Sequence, residues 1–232
     1  MHFLCLGGSG RTGKFIVEEA LSKGHTVVAL VRSPATFPIS PRPGLTLVEG
    51  TPLKREDIKR AFEATAANEG LTDAVLVSLS LKRVSDSPFA AVSPDAPKRV
   101  MEDSVANAVA VMKDLSPGTK RPRLVILSQW GAGSSYDSMS FLFHAMFKHT
   151  NMKHGLAAHN ALDQETRESG VDFVLVRATL LADGDAAPVK VYGEDGKGIS
   201  FVPKITKASV ARFMVEACEK DDFVGKSPVI AN

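Results

Sequence analysis

Gly7-Gly8-Ser9-Gly10-Arg11-Thr12-Gly13 is the stretch whose residue types and spacing carry the most chemistry. It follows the short apolar run Phe3–Leu6 and opens an amphipathic pattern starting at Lys14. Glycines at 7, 10 and 13 allow a tight backbone turn, close approach to a pyrophosphate, and contact between helix and sheet. Free N–H groups and the dipole at a helix start attract phosphate. The spacing G-x-x-G-x-x-G is a variant of the dinucleotide fingerprint, and its place on the first strand–helix turn gives it specificity. Gly8–Lys14 also matches most of a triphosphate-binding loop, G-x-x-x-x-G-K. Phe15, however, stands where that loop needs a hydroxyl for magnesium, and no apolar strand ends in a magnesium-binding aspartate. Lys14 is then expected to be an exposed helix residue.

About twenty residues beyond such a loop, an acidic residue binds a ribose 2′-hydroxyl, and an arginine instead accommodates a 2′-phosphate. That place holds Arg32, followed by Ser33. A guanidinium fork suits a phosphate, which a carboxylate would repel. The expected cofactor is NADP.

These residues need a scaffold, and the chain supplies alternating apolar runs and helical patterns. Strands are expected at Phe3–Leu6, Thr26–Val31, Leu45–Val48, Ala74–Leu79, Leu124–Leu127, Phe173–Val176 and Val229–Ile230. Helices are expected at Lys14–Lys23, Val100–Leu115, Ala158–Ser169 and Lys207–Glu219, the last capped by Thr206. Another follows Thr51-Pro52, read as an N-cap with proline at the first helical position. Alternation of this kind gives a parallel sheet covered on both faces. The expected fold is α/β, a Rossmann-type doubly wound parallel sheet in three layers, as one domain over residues 1–232. Ser80–Pro97 and Gly131–Gly155 leave carboxyl ends of strands, where such folds bind ligands. A substrate-side cap is therefore expected around residues 131–157 and 178–203.

The chain resembles the atypical short-chain dehydrogenases, particularly the NmrA-like proteins and the biliverdin reductase B-like flavin reductases. The resemblance is carried by Gly7–Gly13, Val31-Arg32-Ser33, Val48-Glu49-Gly50, Ala74–Ser80, Glu168-Ser169-Gly170-Val171-Asp172-Phe173, Arg177 and Ile205-Thr206-Lys207-Ala208-Ser209. It implies a nicotinamide cofactor across the strand ends. Gly7, Gly10, Arg11, Thr12 and Gly13 would hold its phosphates, Arg32 and Ser33 its 2′-phosphate. Leu79 and Ser80 would border the adenosine and ribose, and Ser128 would approach the nicotinamide. It also implies monomers or weak homo-oligomers with varied small-molecule substrates. Two departures stand out: Ser128-Gln129 replaces a serine pair, and Arg177-Ala178 replaces Arg-Pro.

A short-chain dehydrogenase of the usual kind uses Tyr-x-x-x-Lys, in which lysine lowers the tyrosine pKa for proton exchange with the substrate oxygen. Tyr136 and Tyr192 are followed four places on by Ser140 and Gly196, so the pair is absent. Another residue must supply the proton, or the acceptor collects it from water, or the protein is not an enzyme. His144, His149, His154 and His159 are five apart, which turns each by about 140° on a helix, so they form no single metal face. No metal is expected. His159, at the start of the helix before the sixth strand, is the candidate general acid because histidine titrates near neutral pH. Phe141, Leu142, Phe143, Met146, Phe147 and Met152 either pack a short helix or wall an aromatic substrate, and Trp130 is open to both roles.

Bulk properties narrow the classes. In 232 residues the formal net charge is +2, and the basic stretch Lys120-Arg121-Pro122-Arg123 is too short to suggest nucleic acid. No apolar run is long enough for a membrane span. Cys5 and Cys218 read as buried thiols, and the expected setting is cytoplasmic. Three functions remain. The favoured one is an NADPH-dependent oxidoreductase passing hydride to a conjugated or aromatic small molecule such as a flavin or quinone. The alternatives are a non-catalytic NADP-binding redox sensor and a non-redox isomerase or lyase.

Overall fold

The structure is a computed structural model and describes residues 1–67, 71–85, 87–115 and 122–232. In chain order the elements are β1 (His2–Leu6), α1 (Gly13–Ser22), β2 (Thr26–Val31), β3 (Leu45–Glu49), α2 (Arg55–Ala67), β4 (Ala74–Val77), α3 (Val100–Leu115) and β5 (Arg123–Gln129). There follow α4 (Phe141–His149), α5 (Met152–Glu168), β6 (Phe173–Ala178), β7 (Leu180–Ala182), β8 (Lys190–Tyr192), β9 (Lys204–Thr206), α6 (Lys207–Glu219) and β10 (Val229–Ala231). Of the basic stretch, Lys120 and Arg121 lie outside the described residues.

Among the described residues, eight strands form one sheet in the order β3-β2-β1-β4-β5-β6-β10-β8, and β7 pairs with β9 separately. All neighbours in the large sheet are parallel except β10 and β8. This is the doubly wound Rossmann arrangement, with its topological switch between β1 and β4. The pleat explains the layers. On β1, Phe3 and Cys5 enter a core under α1 and α6, while Leu4 and Leu6 enter a second core under α2, α3 and α5. Strands buried on both faces need continuous apolar sequence, which is why Thr26–Val31 and Ala74–Val77 carry no alternation. A third, smaller core joins Trp130, Met139, Phe143, Phe147 and Leu156 with Val229 of β10.

Several boundaries differ from the sequence expectation. β4 stops at Val77, although the Ser78 N–H still donates to the Leu6 carbonyl at 2.9 Å, so Leu79 and Ser80 already belong to the loop. α2 begins at Arg55, not at Pro52. Thr51 instead starts a turn, with Lys54 N–H on its carbonyl at 3.1 Å, and its own N–H is taken by the Asp57 carboxylate at 2.9 Å. α5 begins at Met152, six residues before Ala158. The polar run Lys153-His154-Gly155 hid that first turn, which lies at the edge of the cap and needs few apolar contacts.

Candidate functional site

The phosphate loop is shaped by what its glycines leave out. Gly7 has φ +88°, and a Cβ there would fall 2.3 Å from the Ser78 carbonyl oxygen. A Cβ on Gly13 would sit 2.0 Å from the Gly7 carbonyl oxygen, so the first turn of α1 rests directly on β1. Gly10, exposed at the crest, donates its N–H to the Gly7 carbonyl at 3.0 Å. Together they make a bare concave backbone at the switch point and the start of a ten-residue helix, the geometry that accepts a pyrophosphate. Ser9, Gly10 and Arg11 are exposed, and Thr12 is buried. Leu79 borders the loop, its Cδ2 lying 3.1 Å from the Cβ position of Gly7. Beneath the loop, burial pushes the Cys5 thiol up to about 12, which makes it an inert core group. Lys14 is half-buried rather than exposed, with its ammonium 5.1 Å from the centre of the Phe15 ring.

Arg32 and Ser33 lie just past the end of β2, both exposed. The neighbouring turn is stiff: Gly50 N–H donates to the Val31 carbonyl at 2.8 Å, and Gly50 is packed so closely on Asp57 that a Cβ would come within 2.8 Å of it. Arg32 thus rises from a fixed turn at the end of the strand next to β1, from which the glycine loop leaves.

On β5, Ser128 is paired in register with Arg177 of β6 and faces α5. Its hydroxyl lies 3.4 Å from His159 Nδ1, and both residues are buried. The structure therefore brings together the two residues proposed for chemistry, thirty-one positions apart in sequence. Ser128, not Gln129, faces α5, since neighbours on a strand point to opposite faces. Burial pushes the His159 ring down to about 4, so it is neutral at pH 7. It can exchange a hydrogen bond with Ser128 or an acceptor, but it does not hold a titratable proton near neutral pH, which removes the titration argument for it.

That burial has a measurable consequence. An unfolded histidine has its pKa near 6.5, above the folded value of about 4. Above pH 6.5 both states are neutral and nothing is lost. As pH falls below 6.5 the unfolded chain takes a proton that the folded site refuses, so stability falls until pH 4. Between pH 7 and pH 4.5 the wild type should lose about 2–3 kcal/mol more than His159→Leu. Urea unfolding of both proteins at the two pH values checks this; equal losses would refute a neutral buried ring.

What the sequence reading did not single out is the ionic support behind this pair. Arg177, 1% exposed, donates Nη2 to Asp163 Oδ2 at 2.6 Å and Nη1 to Ser134 Oγ and the Glu194 carbonyl. Asp163 lies one turn beyond His159 on α5 and also accepts from Arg167 Nε at 2.7 Å. The clue was present: an arginine ending the otherwise apolar run Phe173–Val176 requires a buried partner.

The cap is held mainly by its own core. Trp130 is buried, donates its indole N–H to Ser138 Oγ at 2.8 Å, and meets Phe143 edge-on at 5.2 Å. It packs rather than lines a cleft. Phe143 and Phe147 are buried with it, whereas Phe141 and Leu142 are exposed, Phe141 lying 5.9 Å from Phe201. The Ser80–Pro97 loop is tied to the start of α5 by Asn151, which donates to the Phe89 carbonyl at 2.8 Å. The histidines are spread over two helices, α4 and α5. Among the described residues, no group of three or more His, Cys, Asp or Glu is placed to hold a metal. Nor, among them, is any helix long and apolar enough to cross a membrane.

Residues 7–221 match the model of the NAD(P)H-binding family. The chain belongs to that family. Among similar proteins, a segment of 85 residues is 36% identical to the photosystem II assembly factor Ycf39 of Synechocystis. That match takes in 36% of this chain and 26% of the relative, so it speaks for a segment only. Two solved structures share the fold over the whole chain. One, from Bacillus halodurans and classed as an NAD-dependent epimerase/dehydratase, superposes with TM-score 0.73 at 21% identity over 94% of its length. The other, ChuY, an anaerobilin reductase from Escherichia coli O157:H7, gives TM-score 0.71 at 15% identity over 97% of its length. The bare glycine loop of this NAD(P)H-binding protein fits the family's nucleotide: a Cβ at 7, 10 or 13 would press on the Ser78 or Gly7 carbonyl and push apart the backbone that shapes the cradle.

Proposed function

We propose that this NAD(P)H-binding protein is an NADPH-dependent oxidoreductase of the atypical short-chain dehydrogenase kind, acting on a conjugated or aromatic small molecule such as a flavin or quinone. The observation that carries the cofactor choice is Arg32, an exposed guanidinium at the tip of β2, where a carboxylate would select NADH. Gly7–Gly13 cradles the pyrophosphate, Ser33 assists Arg32, and Leu79 and Ser80 flank the adenosine ribose. When bound, the nicotinamide supplies the hydride. Ser128 orients the acceptor through its hydroxyl, and His159, neutral and buried, fixes that hydroxyl. Without a phenol and lysine to deliver a proton, the reading favours acceptors that take hydride into a conjugated system and collect the proton from water.

Arg32→Ala should weaken NADPH about 30-fold and leave NADH within about twofold, the size of a lost charge-assisted contact to the 2′-phosphate. Titration calorimetry with both nucleotides tests this, and an unchanged preference would refute it. Turnover is tested by loss of nicotinamide absorbance with a panel of flavins, quinones and enones. Binding of NADPH with no oxidation by any acceptor would instead favour a non-catalytic redox sensor. The segment shared with an assembly factor supports that second reading. A cytoplasmic, monomeric or weakly associating protein is the setting we infer for either.

A further inference from the structure

α1 and α6 pack side by side, and both start at the carboxyl end of the parallel sheet. α1 starts from the loop that leaves β1. α6 starts directly after β9, whose last residue Thr206 is paired with Ala182 of β7. The next residue, Asp183, reaches Lys207 in the first turn of α6, with Oδ1 2.6 Å from Nζ. The two partners differ in freedom: the Lys207 side chain is 14% exposed, that of Asp183 86%. Lys207 is further fixed by its helix cap, where Thr206 Oγ1 accepts from the Ser209 N–H at 3.1 Å, and Thr206 Oγ1 also donates to the Asp185 carbonyl at 3.0 Å. The cation is built in, and the carboxylate is on a solvent-facing arm.

Asp183 also feels the phosphate loop. Lys207 is the main cause of its carboxyl lying below the ordinary range, and Lys14 and Arg11 act in the same direction. One carboxylate therefore sits in the field of three cations, two of them in or just after the glycine loop.

We propose that Lys207 is a further pyrophosphate-binding residue of the nucleotide site, and that Asp183 competes with the cofactor's phosphates for it. This rests on the reading of Gly7–Gly13 as a dinucleotide cradle. Its signature differs from that of Arg32. The pyrophosphate is common to NADPH and NADH, so changes at 183 and 207 shift both affinities alike, whereas Arg32 acts on the 2′-phosphate alone.

The test is calorimetric titration of NADPH and NADH into wild type, Asp183→Asn, Lys207→Met, Lys207→Arg, the Asp183→Asn/Lys207→Met pair and Arg32→Ala. Asp183→Asn should tighten both nucleotides about three- to tenfold by removing a competing charge, and the gain should shrink as sodium chloride is raised. Lys207→Met should weaken both about tenfold, Lys207→Arg should restore most of the loss, and Asp183→Asn should gain less in the Lys207→Met background. Should Lys207→Met fail to fold, Asp183→Asn alone decides. Unchanged affinity in Asp183→Asn, or an effect of Lys207→Met confined to NADPH, would overturn the proposal. If Arg32→Ala keeps its NADPH preference while the 183 and 207 variants behave as stated, the NADP assignment falls and this one stands. Absence of binding to wild type would remove both.

Discussion

Gly13→Ala should abolish detectable dinucleotide binding and destabilise the fold by about 3 kcal/mol, at the upper end of the cost of overpacking. A Cβ there would lie 2.0 Å from the Gly7 carbonyl oxygen, 2.8 Å from its carbon and 3.0 Å from Gly8 Cα. All three are backbone atoms, so no rotamer change relieves the overlap. α1 must lift away from β1, which separates Ile16, Val17 and Ala20 from the core they share with Phe3 and Cys5. The same movement widens the loop whose amides must converge on the phosphates, so affinity falls with the geometry. Two other glycines are controls. At Gly8 a Cβ would meet the side chains of Val17 at 3.2 Å and Cys5 at 3.3 Å, which can shift, and the expected cost is about 1 kcal/mol. At Gly24 nothing lies within 4 Å, but φ is +79°, so alanine should cost about 1 kcal/mol in backbone strain and leave binding intact. Urea unfolding with NADPH titration of the three variants checks the ordering. A Gly13→Ala protein that binds NADPH as the wild type does would show that the loop is not the cradle.

This loop was legible in the sequence because its physics is local: glycine spacing, the preceding strand and the following helix are contiguous. The same holds for β2, α3 and α6, whose expected limits coincide with the observed ones. Thr206 was readable as a cap because a helix start needs an acceptor two or three residues upstream. Features that depend on distant contacts were less legible. Trp130 could have walled a cleft or packed, and the choice is made by Phe143, Ser138 and Val229, which pattern alone does not bring together. Thr51-Pro52 has the residues of a helix start, yet Asp57 captures the Thr51 N–H and holds it in a turn. The closeness of Ser128 and His159 follows from how α5 lies on β5 and β6, while the depressed histidine pKa follows from burial that the sequence does not quantify. The Asp183–Lys207 pair depends on β7 meeting β9, two three-residue strands too short to carry a pattern.

The buried pair behind the site carries the other large effect, and its asymmetry is the informative part. Asp163→Ala should destabilise the protein by about 3–5 kcal/mol, the cost of leaving a buried charge uncompensated. Arg177 would retain only the neutral Ser134 Oγ and Glu194 carbonyl, and its Nε already has no hydrogen-bond partner in the structure. Arg177→Met should cost at least about 1 kcal/mol less, because Asp163 would keep its ion pair with Arg167 at 2.7 Å. Replacing both, Asp163→Leu with Arg177→Met, should recover much of the Asp163→Ala loss, since no buried charge is then stranded and the volume is refilled with apolar groups. Urea unfolding of these variants, with the single Asp163→Leu completing the cycle, gives the coupling energy. Equal costs for the two single changes, or simple additivity in the double variant, would show that the charges act independently. The functional consequence follows from position. Arg177 is the register partner of Ser128, and Asp163 lies one turn from His159, so this ion pair clamps α5 onto β5 and β6 at the level where hydroxyl and imidazole meet. The double variant should therefore regain stability without regaining a fixed Ser128–His159 distance. Stability and acceptor orientation should separate in that one protein.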